Sequence, residues 1–468
     1  MSALETAAEL GLAEAGGAGL RQARLVCPDA WERLAPGLSG AAQAWLAAQG
    51  FAPKTGRIAR LPDAAGLPGD LLVGADAAAD PWAWAALAAQ APPGDWLAAP
   101  GPAPAAAGAA VLGWALGRYR FAVEGAAPAS RLIVPDLAGH ADTLAEAASV
   151  RWARRLIDRP ANDAGPEAIE AALGAVVAPF GAEVAVIRGT EALIAAGFPA
   201  VAAVGRAAAE APRLVDIRWG PADAPRVTLV GKGVSFDTGG LTMKSAAGMR
   251  QMKRDMGGAA VMGGLAALLM AWGCRLRLRL LVPVVENAVD GTAFRPGDHL
   301  RMRSGATVEI ENTDCEGRLI LADALTAALE DDPDILIDCG TLTGSARTAL
   351  GGQLQALFST DDALAAALMA AGARLDDPLW RMPLWQGYAG RIRARNGALL
   401  NMAPGAYAGA ITAALFLQVF AAPARSWTHL DISAWNDEDR PGRPAGAEAT
   451  GLRAMAAALR SLAQAGPS

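Results

Sequence analysis

Apolar runs alternate with helix-spaced apolar stripes along most of the chain from residue 141 onward. "ADTLAEAASVRWARRLI" (141–157) repeats apolar positions at helical spacing and predicts a helix that bridges two domains. "RPANDAGPEAIEAA" predicts a loop and then a helix opened by Pro166, because a first turn does not need the N–H that proline lacks. Short apolar runs at "RVTLVG" (226–231), "DILIDCG" (334–340) and "THLDIS" (428–433) predict buried strands. "RLRLRLLVPVV" (275–285) alternates with period two and then turns wholly apolar, as a strand does on entering a core. Residues 256–273, "MGGAAVMGGLAALLMAWG", run 18 positions without a charge. That is the lower limit for a membrane span. Its Gly and Ala content, and the regular strand that follows, predict a buried helix instead. The alternation as a whole predicts an α/β sheet covered by helices, with ligands collecting at strand ends.

Residues 1–140 are rich in Ala, Gly and Pro. "DPWAWAALAAQ" predicts a helix, and "DLLVG" and "RLIVPDL" predict strands. "APPGDWLAAPGPAPAAAG" (91–108) reads as loop. Trp82 and Trp84, at helical spacing, are expected to pack, and this region shows no candidate chemistry. The expected organisation is an N-terminal α/β domain (1–140), a linking helix (141–160) and a catalytic domain (161–468).

Composition agrees with two domains: 468 residues, 53% hydrophobic and 19% charged, can fill more than one core. A net charge of −6 gives no support for nucleic-acid or membrane-surface binding. Cys27, Cys274, Cys315 and Cys339 form no CxxC, so neither a disulfide framework nor a structural zinc site is expected. The acidic start lacks a signal-peptide pattern, and a soluble cytoplasmic protein is expected.

Basic residues add a sharper signal. Of 41 Lys and Arg, four are Lys: Lys54, Lys232, Lys244 and Lys253. Three of them fall within 22 positions, around "GKGVSFDTGGLTMK" (231–244) and "MKRDMGGAA". The predicted strand runs into Lys232, then Asp237, Lys244 and Asp255. A second cluster, "ENTDCEGRLILADAL" (311–325), carries Asp314, Glu316 and Arg318. Read as an extended segment, it places those three on one face and Cys315 and Gly317 on the other. Four carboxylates and only three scattered histidines (His140, His299, His429) point to Mg, Mn or Zn, singly or as a bridged pair. Lysine suits such a site in two ways. Its amine can lose a proton beside a cation and bind it, or stay charged and stabilise an oxyanion. Arginine can replace it in neither role, since it keeps its proton and its planar fork is not a compact donor; Arg318 is suited instead to holding an anion bidentately. A phosphate loop has weak support, since GxxxxGK[ST] is absent and Lys232 is followed by Gly.

These motifs resemble the leucyl aminopeptidase family of two-metal exopeptidases. "VGKGVSFDTGGLTMK", "MKRDMGGAA" and "NTDCEGRLILADAL" carry the likeness, with "VPVVENAVDGTAFRPGDHL", "LIDCGTLTGSARTALGG" and "WTHLDISAW" beside them. It covers about residues 150–460. The resemblance implies a mixed β-sheet catalytic domain flanked by helices, with a smaller N-terminal α/β domain. It implies two divalent ions, Mn or Zn. Lys232, Asp237, Asp255 and Glu316 would hold one, and Asp237, Asp314 and Glu316 the other. Lys244 would bind the tetrahedral intermediate, and Arg318 a bicarbonate acting as general base. Met252, Thr341 and Gly344 would line the pocket for the N-terminal side chain; core packing is the other reading of Met252. Peptides with a free N-terminus are the implied substrates and a homohexamer of two trimers the implied assembly. Cys315 stands where the family usually has Ala and is expected to be a small buried residue rather than a metal ligand. "LLNMAPGAYAGAITAAL" and the polar loop after "HLDIS" also depart from the family, leaving side-chain preference open. Two other readings remain: a two-metal phosphoesterase, which would use more histidine, and a non-catalytic scaffold or DNA-binding hexamer. Lys253 has no assigned role.

Overall fold

The computed structural model describes residues 3–17, 20–62, 68–99, 101, 105–121 and 130–465. The chain forms two units, one of Leu4–Arg151 with Asp437–Ala445, the other of Trp152–Asn436 and Gly446–Ser468 with Met1–Ala3.

The N-terminal unit is built on a six-stranded sheet. Its strand order is Leu12–Ala13, Ser130–Ile133, Gly94–Ala99, Arg21–Val26, Pro68–Gly74 and Ile58–Pro62, all parallel except the last. The predicted helix is Pro81–Gln90, and Trp84 on it is fully buried. Trp82 lies under the Arg443 guanidinium, 4.7 Å from the ring centroid, so both tryptophans pack. The stretch read as loop at 91–108 contains the strand Gly94–Ala99, centred on the buried Trp96. Its Gly and Pro density hid a short parallel strand, which needs no polar alternation. Residues 100 and 102–104 of that stretch lie outside the described residues.

The larger unit has a mixed sheet. Its strands, in chain order, are β1 (Glu183–Arg188), β2 (Arg213–Trp219), β3 (Arg226–Gly231), β4 (Gly233–Asp237), β5 (Arg277–Asn287), β6 (Ile335–Gly340), β7 (Gln355–Ser359), β8 (Leu379–Arg381) and β9 (Trp427–Asp431). The spatial order is β8-β7-β9-β6-β3-β5-β2-β1, with β4 paired to the end of β5. The centre, β9-β6-β3-β5, is parallel; β7 and β2 run antiparallel to it. Each mainly apolar run became a central parallel strand, because helices cover both faces and bury it; the polar Asp338 of β6 and His429 of β9 are buried there as a hydrogen-bonded pair at 2.6 Å.

The helices used below are α1 (Ala141–Asp158), α2 (Pro166–Val177), α3 (Gly257–Ala271), α4 (Glu316–Leu329), α5 (Gly344–Leu350), α6 (Gly409–Ala421) and α7 (Leu452–Ala465). The charge-free stretch is α3. Its residues from Gly257 to Met270 are all buried, and it packs on β3 and β6 between α2 and α7. Each fully buried Leu or Met there contributes about 1.5–3 kcal/mol. On the other face α4 and α6 pack over Val230, Leu281 and Leu336. Among the described residues no helix is long and apolar enough to cross a membrane.

Parallel strands end together, so β3 and β6 deliver Gly231 and Gly340 to the same edge of the sheet. There α3 approaches unusually closely: a Cβ on Gly258 would stand 2.2 Å from the Cys339 carbonyl oxygen. This approach lets Ala259 N–H donate to the Lys232 carbonyl at 2.8 Å while Lys232 N–H donates to Cys339 at 2.9 Å.

Candidate active site

Lys232 is the first residue beyond β3 and is 3% exposed. Its Nζ lies 2.8 Å from Asp255 Oδ2 and 3.0 Å from Glu316 Oε1, and donates to the Thr341 carbonyl at 2.8 Å. Lys244 Nζ lies 2.8 Å from Asp237 Oδ2 and also pairs with Asp314. The two amines thus sit between two pairs of carboxylates. Oxygens of Asp237, Asp255 and Glu316 lie within 4.8 Å of one another, and all three side chains are buried.

Each carboxylate comes from a separate piece of the fold. Asp237 ends β4. Asp255 follows a single 3-10 turn, Met252–Arg254, and accepts the Thr341 hydroxyl at 2.7 Å. Asp314 lies in the turn Thr313–Cys315, which Asn312 caps by accepting the Asp314 N–H at 2.7 Å. Glu316 opens α4. The 314–318 segment is therefore helical, not extended. Asp314 reaches Lys244 from the 3-10 turn and Glu316 reaches Lys232 from the first residue of α4, so both still meet the cage, but the two-face reading breaks. Gly317 is on the cage side: a Cβ there would stand 2.4 Å from Lys232 Cε and 2.6 Å from Nζ. Cys315 is half-buried rather than fully buried, and burial pushes its thiol pKa up.

Four carboxylates and two ammonium groups leave the cage net negative, and the titration shifts reflect this. Burial, reinforced by Glu316 and Asp237 and opposed by Lys232, lifts Asp255 to about 7. Burial also pushes Asp237 up, against Lys244 and Lys232. Burial works against the charge on Lys232, but Asp255, Glu316 and Asp237 outweigh it and raise its pKa. For Lys244 the burial penalty is outweighed by Asp237 and Asp314. A crowded set of buried oxygen donors with surplus negative charge fits hard or borderline divalent cations.

The cage opens into a cleft of about 440 Å³. Lys232, Asp237, Lys244, Asp255 and Asp314 line it, and so do Met252, Thr341 and Gly344. Met252 thus faces the cleft rather than serving only as core. Glu316 and Arg318 do not line it; they are 1% and 5% exposed behind it. Arg318 Nη1 donates to the Asn401 carbonyl at 2.7 Å, and its buried Nε has no partner among the described residues.

Two polar residues escaped the sequence reading. Asn287, fully buried at the end of β5, donates to Asp237 Oδ1 at 2.8 Å and to the Thr313 carbonyl at 3.1 Å. Asp431, at the end of β9, accepts the Leu342 and Thr343 N–H groups at 3.1 Å each and the Thr343 hydroxyl at 2.6 Å. It thereby holds the loop that carries Thr341. In both cases the available signal was a polar residue closing an apolar strand.

The cytosol aminopeptidase family, catalytic domain, matches residues 151–456. The chain belongs to this family. The M17 aminopeptidase N-terminal domain matches residues 23–135. Peptidase B of Serratia proteamaculans is 41% identical over 324 residues, 67% of this chain and 75% of that protein. A probable cytosol aminopeptidase of Xanthomonas oryzae pv. oryzae is 42% identical over 307 residues, 65% of this chain and 62% of that protein. The crystal structure of the Coxiella burnetii cytosol aminopeptidase superposes with a TM-score of 0.90 at 40% identity, covering 96% of this chain and 99% of that one. The bottromycin maturation enzyme BotP, solved in complex with Mn, gives a TM-score of 0.83 at 35% identity, covering 90% and 96%. The chain is thus a peptide hydrolase of the aminopeptidase type, with the mixed α/β architecture expected of it.

Proposed function

We propose that this aminopeptidase removes single N-terminal residues from peptides with the help of two divalent ions. The observation that carries the reading is the convergence of Lys232, Asp237, Asp255 and Asp314 at the floor of the cleft, with Glu316 buried directly behind them against Lys232. Lys232, Asp237, Asp255 and Glu316 would hold one ion, and Asp237, Asp314 and Glu316 the other, Mn or Zn. Ions so held would supply Lewis acidity for the peptide carbonyl and for the attacking water.

The residues of the chain do the rest. Lys232 must give up its proton to become a ligand, so metal loading releases protons. Lys244 keeps its charge on the cleft wall, where its compact ammonium can stabilise an oxyanion. Arg318 holds an anion behind the cage, and its unpartnered buried Nε supports this role; bicarbonate is the proposed anion. The cationic α-amino group of an unblocked peptide suits a cage with surplus carboxylate. Met252, Thr341 and Gly344 form the wall against the first side chain. As in the relatives named cytosol aminopeptidase, a cytoplasmic location is proposed, together with a homohexameric assembly that sedimentation can check.

The test is hydrolysis of aminoacyl-p-nitroanilides and dipeptides with Mn²⁺, Zn²⁺ or chelator added. Metal-dependent release from unblocked substrates is expected. No such release from any of them refutes the reading, and equal cleavage of N-acetylated substrates refutes the role of the free amino group.

A further inference from the structure

Lys253 is the third lysine of the cluster, and the cage does not use it. We propose that Lys253 is a positioning residue that fixes the Met252–Arg254 turn, and through it the Asp255 carboxylate, on the C-terminal end of α1. The proposal rests on the reading of Asp255 as a metal ligand.

Lys253 Nζ donates to the Asp158 carbonyl at 2.5 Å and lies 5.6 Å from the centroid of the Trp435 ring. Asp158 is the last residue of α1. Carbonyls in a final turn have no partner within the helix, and the negative end of the helix dipole favours a cation there. An aromatic face adds a second attraction for the same ammonium.

The anchor point is itself well tied. The Asp158 carboxylate accepts the Ala447 N–H at 3.1 Å. Ala447 pairs with Trp435 in a two-stranded ribbon. Asn436 of that ribbon donates to Glu448 at 2.8 Å, and Glu448 accepts Arg154 of α1 through both of its oxygens. The Arg154–Glu448 pair is buried. Lys253 therefore reaches into a block formed by the last turns of α1 and the ribbon.

On its other side, the lysine is two residues from Asp255, whose N–H closes the turn onto the Met252 carbonyl at 3.2 Å. A single turn has little stiffness of its own. The Asp255 carboxylate is held by Lys232 and Thr341, which belong to the same cage. The neighbouring Arg254 reaches Ser433 Oγ at 3.4 Å. Lys253 supplies a strong tie from this turn to a block that is not part of the cage. Met252, which faces the cleft, rides on the same turn.

The test uses the full chain, stripped of metal and titrated with Mn²⁺ by calorimetry, with melting curves and kcat/KM recorded in parallel. Asp255→Asn identifies the binding event that depends on Asp255. Lys253→Met keeps the chain length and removes the charge; Lys253→Arg restores a cation that can reach the same carbonyl. For Lys253→Met, the Asp255-dependent event is expected to weaken about 10- to 100-fold, the usual cost of losing a residue that orients a ligand. The other event should stay close to wild type. Lys253→Arg should recover to within about threefold of wild type. Unchanged Mn²⁺ affinity in a folded Lys253→Met overturns the proposal. Failure of Lys253→Met to fold, or equal weakening of both events, also overturns it, because the lysine is then a general structural tie. If wild type shows no event sensitive to Asp255→Asn, the metal reading itself fails and the proposal falls with it.

Discussion

Gly317→Ala separates the geometry of the cage from the stability of the fold. The added Cβ would stand 2.4 Å from Lys232 Cε, 2.6 Å from Nζ and 2.7 Å from Cδ. Carbon atoms in contact normally lie about 3.5–4.0 Å apart, so the lysine tip must move by roughly 1 Å. A flexible lysine usually yields at little cost. This one is 3% exposed and held by Asp255, Glu316 and the Thr341 carbonyl, so yielding means leaving the cage. Misplacing a group at a reacting centre by about 1 Å can cost about 10²-fold in rate. Gly317 is the second residue of α4, where Gly→Ala gains about 0.8–1 kcal/mol of helix propensity. Overpacking costs about 1–3 kcal/mol, so the net loss of stability is no more than about 2 kcal/mol. The assay pairs urea unfolding of the metal-free protein with kcat/KM on leucyl-p-nitroanilide at saturating Mn²⁺. A folded Gly317→Ala with about 10²-fold lower kcat/KM is expected. A kcat/KM within about threefold of wild type would refute the claim that Lys232 has no room to move.

Lys244→Arg should lower kcat by about 10²-fold or more while both metals still bind, read by calorimetry, because a planar guanidinium cannot occupy the place of the ammonium between Asp237 and Asp314. Asp431→Asn should raise KM and cost about 1–3 kcal/mol in denaturant unfolding, since an amide cannot accept at both positions that serve Leu342, Thr343 and its hydroxyl. Glu170 accepts Arg188 and Arg213, and the Arg188 hydrogen bond leads in holding its pKa below the usual 4.5. A carboxylate with a depressed folded-state pKa stabilises above its unfolded value and loses that contribution as pH falls through the folded one. Wild type should therefore be more stable than Glu170→Gln at pH 6, with the difference vanishing on acidification below 4.5; a constant difference would contradict this.

Residue chemistry was legible in the chain before any coordinates. Four lysines in 468 residues, three of them within one short stretch, marked two amines that arginine could not replace. The strands β3, β5, β6 and β9 and the buried α3 followed from apolar runs too uniform for a half-exposed element. The 314–318 segment was read wrongly because spacing of two residues was weighed without backbone state. The cap at Asn312 and the apolar helix that follows curl it into a turn, placing Gly317 beside Lys232.

Asn287, Asp431 and Lys253 show what needed the tertiary structure. Asn287 meets Asp237 across 50 residues, Asp431 meets Thr343 across 88, and Lys253 meets Asp158 across 95. Residue type and local spacing state which groups are available and how each segment folds. Which groups meet depends on strand order, because β5, β3, β6 and β9 lie side by side and end at one edge. That order is set by the packing of whole helices and strands against one another. No short stretch of sequence carries it.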